Sequence, residues 1–308
     1  MEPVIECAGL SKRFGRLRAV DNLDLTISKG EVFGFLGPNG AGKSTTIRML
    51  LSLIRPNSGR VSLFGMDPDR NRRAVFGRVG ALVESAVFYE HLSGRRNLEL
   101  LASLSGGCER ARIDEVLELV GLTGRQRDRV AAYSHGMRQR LGLAQALLPR
   151  PELVILDEPA TGLDPAGLIE IRNLLRHLAA SEGMTIFLSS HLLAEVELIC
   201  TDVGLVSNGR LVARGRVDEL LAGTEQRASV TVDNPELALN VARALDCVNG
   251  AEALDGHLSL RLAPDSLGCV NRALVEAGVD VSALVPLRDS LEDLYMSVMQ
   301  EAEHADTH

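Results

Sequence analysis

The stretch Gly37-Pro38-Asn39-Gly40-Ala41-Gly42-Lys43-Ser44-Thr45 joins an apolar run, Val32 to Leu36, to a helix-like run, Thr46 to Leu53. Its spacing, G-x-x-x-x-G-K-[ST], suits a polyphosphate. The glycines let successive backbone N–H groups turn inward around an anion, and the N-terminus of the following helix faces the same charge. Lys43 is placed to reach terminal phosphates, and Ser44 to hold Mg²⁺. A chance glycine-rich turn is the competing reading, and the strand before and helix after the loop argue against it.

A second chemical cluster follows Leu153-Val154-Ile155-Leu156, a continuous apolar run with the proportions of a buried parallel strand. Asp157, Glu158 and Pro159 come directly after it, where open α/β sheets bind ligands. Asp157 could hold Mg²⁺ through water, and Glu158 could orient and deprotonate an attacking water; a solvated turn is the alternative. Three further residues each carry two open readings. His191, after the strand Met184 to Leu188, is either a hydrogen-bond donor to a γ-phosphate or a helix-start residue. Ser134 opens the helix running to Leu148, as its N-cap or as part of a second anion site with Gly136. Phe14, in the turn-like segment Ser11 to Arg16, either stacks on a base or fills a hairpin core.

These groups need elements to position them. Val4 to Leu10 and Ala19 to Ile27 have strand patterning, the second with an irregularity at Asp21-Asn22, and predict an antiparallel layer ahead of the loop strand. Short strands follow at Arg60 to Phe64 and Val79 to Val83, the latter ending at Glu84. From Gly94 to Val120 the pattern turns helical, with Leu98, Leu101, Leu104, Ile113, Val116, Leu117 and Val120 at three- and four-residue spacing. Another helix runs from Pro165 to about Ala180.

The chain of 308 residues is 45% hydrophobic, enough to bury a core in each of two domains. A net charge of −8 argues against a general electrostatic grip on nucleic acid, so no nucleic-acid partner is expected. No apolar run is long enough to span a bilayer and no secretory leader is evident, so the chain is not expected to cross a membrane by itself. The cysteines at 7, 108, 200, 247 and 269 lack C-x-x-C spacing, which fits free thiols in a reducing compartment.

Together, GPNGAGKST, YSHGMRQR, LVILDEP, TGLDP and SSH resemble the Walker A, signature, Walker B, D-loop and switch-histidine segments of ATP-binding subunits of ATP-binding cassette (ABC) transporters. The signature segment discriminates, because other P-loop ATPases lack it. The resemblance covers Met1 to about Ala222 and implies a P-loop NTPase core with an antiparallel β layer and a helical subdomain at about 90–150. It assigns adenine stacking to Phe14, the catalytic carboxylate to Glu158 and the γ-phosphate sensor to His191. ATP and Mg²⁺ are the implied cofactors. Such subunits sandwich nucleotide between the signature serine of one copy and the phosphate loop of another, so one motif set implies a homodimer and gives Ser134 both of its roles. A second partner is implied, an integral-membrane transporter subunit on a separate chain, which puts this subunit on the cytoplasmic face of the cell membrane. Its docking surface is expected at Glu84 to Asn97, with Phe88 and Tyr89 as apolar anchors or as ordinary core.

Three positions depart from the family pattern: Glu84 stands where glutamine is usual, His135 replaces a signature glycine, and Met137 replaces its final glutamine. With ALVES-x-x-FYEHLSGRRNL they resemble the branch of bacitracin, lantibiotic and drug exporters, which implies a drug or antimicrobial peptide as cargo. Glu84 is expected to add a third acid to the metal site and so raise dependence on Mg²⁺. Two rival functions are a soluble cassette ATPase remodelling ribosomes or DNA, and a P-loop kinase; the first usually has tandem cassettes or a long coiled-coil insert, and the second leaves the signature unexplained.

The last quarter predicts an Asn208-Gly209 hairpin, a short helix at Val217 to Leu221, and a linker at 223–228. Residues 229–300 then alternate as βαββαβ, with a turn at Asp255-Gly256, which predicts a small α+β domain of ferredoxin-like type, and 301–308 form a tail.

Overall fold

A computed structural model describes residues 2–84, 86–104, 107–221, 226–254, 257–287 and 290–297. The expected linker residues 223–225, the turn at Asp255-Gly256 and the tail 301–308 lie outside the described residues. The chain divides into two compact units, Met1–Val217 and Asp218–His308.

In the first unit, β1 (Pro3–Phe14) pairs antiparallel with β2 (Leu17–Ser28) and with β4 (Ser58–Leu63), giving the sheet order β2-β1-β4. The segment Ser11 to Phe14, expected as a turn, instead continues β1, and the turn is confined to Gly15 and Arg16. The irregularity in β2 is a bulge. Asn22 has a φ of 52°, a left-handed conformation that asparagine tolerates, and the register shifts between Leu10↔Leu23 and Lys12↔Val20. The bulge lets Val20 and Leu23 both face inward despite their odd spacing, with Leu25 and Ile27 continuing the buried row.

The second sheet has the order β5-β6-β7-β3-β8-β9, built from β3 (Val32–Leu36), β5 (Val79–Leu82), β6 (Leu153–Asp157), β7 (Thr185–Ser190), β8 (Asp202–Ser207) and β9 (Arg210–Arg216). All neighbours are parallel except the β8–β9 hairpin. Strands β3, β6 and β7 are buried along their whole length, which is why they read as continuous apolar runs. Phe33, Phe35 and Phe187 lock β3 to β7, with ring centroids 5.9 and 5.5 Å apart. The order matters for chemistry: β7 lies between the strand of the phosphate loop and the strand of the acid pair.

Helices α1 (Lys43–Leu50), α2 (Arg72–Phe76), α6 (Pro165–Glu182) and α7 (Leu193–Glu197) belong to this core. The helical insert consists of α3 (Gly94–Leu104), α4 (Arg110–Leu119) and α5 (His135–Leu147). Leu98, Ile113, Val116, Leu117 and Val120 are buried as the spacing requires, whereas Leu104 is exposed at the end of α3. Arg112, 5% exposed, donates to the carbonyls of Leu147 and Leu148 and to Glu115, so a buried cation closes the C-terminus of α5. The cysteines are free thiols, and burial pushes the Cys7 thiol up to about 12.

α8 (Val217–Leu221) begins at the boundary between the units. The second unit runs β10 (Gln226–Val232), α9 (Pro235–Arg243), β11 (Val248–Leu254), β12 (His257–Leu262), α10 (Leu267–Glu276) and β13 (Val281–Leu287). Gln226 to Ala228, expected in the linker, are the first residues of β10, because they pair with both β12 and β13. The antiparallel sheet has the order β11-β12-β10-β13, and its core joins Ala228, Val230, Leu258 and Leu260 to Val270 and Leu274 of α10.

Candidate active site

The phosphate loop needs its glycines. Gly40 and Gly42 have φ of 84° and 104°, and a Cβ on Gly42 would lie 2.3 Å from the Ala19 carbonyl oxygen. No side chain caps α1, which starts at Lys43 with its first-turn N–H groups facing the loop. Lys43 is 6% exposed. Its Nζ donates to the carbonyls of Gly37 (2.7 Å) and Pro38 (3.2 Å) and lies 3.3 Å from Glu158 Oε1.

Asp157, 3% exposed, is the last residue of β6. Its Oδ1 accepts from Ser189 Oγ at 2.6 Å and from Ser44 Oγ at 3.3 Å. Ser189 also accepts from the Glu158 N–H at 3.0 Å, so one hydroxyl on the central strand β7 orients both acids. Glu158 has a φ of 52°, a strained conformation for a non-glycine residue. Its Oε2 accepts from Thr161 Oγ1 at 3.2 Å and lies 2.7 Å from His191 Nδ1, which carries the proton in that contact.

A cavity of about 450 Å³ is lined by Phe14, Asn39, Gly40, Lys43, Ser44, Thr45, Glu158 and His191. The expected loop, catalytic carboxylate, histidine and aromatic therefore meet in one place. Phe14 is 48% exposed at the end of β1, with Lys12 Nζ 5.3 Å from its ring centroid, so it fills no core. Ser44 and Asp157 present oxygen atoms of the kind a hard divalent cation prefers. Among the described residues no group of three or more His, Cys, Asp or Glu forms a metal cluster.

Three expected residues are not gathered here. Ser134 caps α5, accepting from the Met137 N–H at 3.2 Å, and with Gly136 lines a separate cavity of about 340 Å³. Glu84 does not join Ser44 and Asp157: its exposed carboxylate is ion-paired with Arg48 of α1. Arg48 stands one helical turn after Ser44 on α1, so this exposed ion pair offsets part of the charge of the expected third acid. Two residues that the sequence reading left without a role, Ser189 and Thr161, hold the acids. Each was visible only as a letter in a motif, and its target depends on which strand lies beside which.

The sequence pattern of the family described as ABC transporter matches residues 20–161. The chain is 38% identical to the bacitracin transport ATP-binding protein BcrA of Bacillus licheniformis, over 97% of this chain and 98% of that one. It is 39% identical to the daunorubicin resistance ATP-binding protein DrrA3 of Streptomyces coeruleorubidus, over 96% and 95% respectively. Among solved structures, an ATP-binding subunit of an ABC transporter superposes with a TM-score of 0.63 at 29% identity, covering 70% of this chain and 91% of that one. CbiO1 of Clostridium perfringens, part of the ABC transporter complex cbiONQ, gives 0.66 at 26%, covering 72% and 92%. With likeness sustained over nearly the whole length of such relatives, and with the phosphate loop, acid pair and histidine converging on one cavity, the chain belongs to the ATP-binding subunits of ABC transporters.

Proposed function

We propose that two copies of this ATP-hydrolysing subunit close face to face on ATP and Mg²⁺, and that closing and release drive a membrane-spanning partner on a separate chain to export a drug or antimicrobial peptide. The observation that carries the two-copy reading is the separation of Ser134 from Lys43 within one chain: they line different cavities. A helix N-terminus that lines a cavity apart from its own chain's phosphate loop suits the phosphate loop of a neighbour.

On binding, Lys43 exchanges the Gly37 and Pro38 carbonyls and Glu158 for phosphate oxygens. Glu158, released from Lys43 and still held by Thr161, orients the attacking water and accepts its proton. His191, anchored to Glu158 through Nδ1–H, would donate from Nε2 to a terminal phosphate oxygen as the imidazolium, the form in which both ring nitrogens are donors. Ser44 and Asp157 would hold Mg²⁺, which would supply charge compensation for the polyphosphate. Phe14 offers the adenine an exposed π-face.

A groove of about 370 Å³, lined by Val87, Phe88, Glu90, Arg138 and Gln139, supports docking of the membrane partner. Asn97 fixes this segment by bonding the Tyr89 N–H (2.8 Å) and carbonyl (3.1 Å), and leaves Tyr89 itself 61% exposed as an anchor. Export as the direction, a drug or peptide as cargo and the cytoplasmic face of the membrane as location rest on likeness to the bacitracin transport and daunorubicin resistance proteins. We also infer a ferredoxin-like identity for the second unit, Asp218–His308, whose sheet begins at Gln226 and not at the expected residue 229. The βαββαβ order and the strand order β11-β12-β10-β13 support it.

The test is Glu158→Gln. The variant is expected to bind ATP, turn over slowly and elute as a dimer in size-exclusion chromatography with ATP. Wild-type turnover would remove Glu158 from the mechanism, and a monomer at saturating ATP would remove the second copy.

A further inference from the structure

The first turn of α5 grips the segment that follows the acid pair. His135 and Gln139, four residues apart on one helix face, reach two backbone carbonyls: His135 Nε2 lies 3.1 Å from the Thr161 oxygen, and Gln139 Nε2 donates to the Pro159 oxygen at 3.0 Å. A carbonyl can only accept, so His135 carries its proton on Nε2 in this contact. The imidazole sits directly on Gly162, where a Cβ would come within 3.0 Å of that nitrogen. Gly162 has a φ of 75°, so the absence of a side chain serves both the turn and the ring above it.

Thr161 has a second connection. Its hydroxyl donates to Glu158 Oε2 at 3.2 Å, the same oxygen that His191 meets at 2.7 Å. Thr161 therefore links His135, which meets its backbone carbonyl, to the carboxylate that faces the phosphate-loop cavity, which accepts from its hydroxyl. His135 is adjacent to Ser134, which lines the other cavity. Glycine at position 135 would have no donor to offer.

We propose that His135 is a positioning residue that ties the signature end of α5 to Glu158 of the same chain, so that nucleotide held by the partner copy's loop tunes hydrolysis on this one. The inference rests on the two-copy reading above. Its specific content is the sense of the link: His135 serves the carboxylate of its own chain, not the nucleotide lying against it.

Mixed dimers separate these. One copy carries Glu158→Gln, leaving a single working site in each dimer, and phosphate release in a single turnover is compared with that of the otherwise wild-type pair. His135→Gly in the copy that keeps Glu158 is expected to slow release about tenfold, with KM for ATP within twofold, the effect of one lost hydrogen bond on placement of the carboxylate. The same substitution in the Glu158→Gln copy is expected to change the rate less than twofold. His135→Gln, which retains a donor, is expected to restore most of the rate in the first arrangement. General loss of structure would slow both arrangements alike, and that result overturns the proposal. A defect confined to the second arrangement also overturns it, because His135 would then act on the neighbour's nucleotide. Failure of Glu158→Gln copies to pair with ATP would instead refute the two-copy reading and take the link between copies with it.

Discussion

Replacing Ser189 by alanine removes one hydroxyl and disturbs two acids. The side chain is fully buried, donates to Asp157 Oδ1 at 2.6 Å and accepts from the Glu158 N–H at 3.0 Å. The Glu158 N–H keeps a second acceptor in the Ser189 carbonyl at 3.2 Å, so its loss is partial. Among the described residues, the buried Asp157 carboxylate then keeps only the longer contact from Ser44. A hydrogen bond to a buried charged group contributes about 1.5–3 kcal/mol, so a cost of about 2–3 kcal/mol is expected. For a unit of this size that lowers Tm by about 5–10 °C. Loss of a partner that orients a metal-side carboxylate also costs about 10- to 100-fold in metal affinity or activity. Thermal unfolding and Mg²⁺ titration of phosphate release measure the two effects. Ser190→Ala is the control: that hydroxyl accepts from the Leu192 N–H at 2.9 Å, away from both acids, so about 1 kcal/mol is lost and the Mg²⁺ titration stays in place. A Ser189→Ala protein with unchanged Tm and unchanged Mg²⁺ half-saturation would refute the reasoning, since the acids would then owe nothing to the strand between them.

Lys43→Ala is expected to weaken ATP binding at least about a hundredfold, on the order of 3 kcal/mol, measured by calorimetry; near-native affinity would show that the loop amides suffice. Glu84→Gln is expected to leave Mg²⁺ half-saturation within about twofold, because that carboxylate is paired with Arg48, and a shift above about fivefold would return Glu84 to the metal site. The Arg78 guanidinium, donating at 2.6 and 2.8 Å, holds the Glu152 carboxyl below its ordinary value. Because the folded pKa is depressed, this stabilisation is present above the unfolded value and is lost as pH falls through the folded one. The stability difference between wild type and Glu152→Gln should therefore shrink between about pH 5 and pH 3, and a constant difference would contradict the linkage.

Much of the core was legible in the residues because its signals are local. A glycine-rich turn between a strand and a helix, an apolar run ending in two acids and the Asn208-Gly209 hairpin each depend on a few neighbouring residues. Boundaries were less legible. β1 extends through Ser11 to Phe14 and β10 begins at Gln226, because pairing across strands overrides the polar composition of those segments.

The sequence by itself determined which residues could carry phosphate chemistry, and that Ser134 opens a helix. Tertiary structure alone decided what they touch. The order β6-β7-β3 puts Ser189 between the acid pair and the phosphate loop, and residues 32 positions apart in the chain meet at 2.6 Å. The same folding turned Glu84 onto Arg48 and aimed His135 at Thr161, contacts that no spacing along the chain encodes. The physical reason is that a motif fixes backbone geometry over a turn or two, whereas the partner of a long polar side chain depends on which element packs beside it.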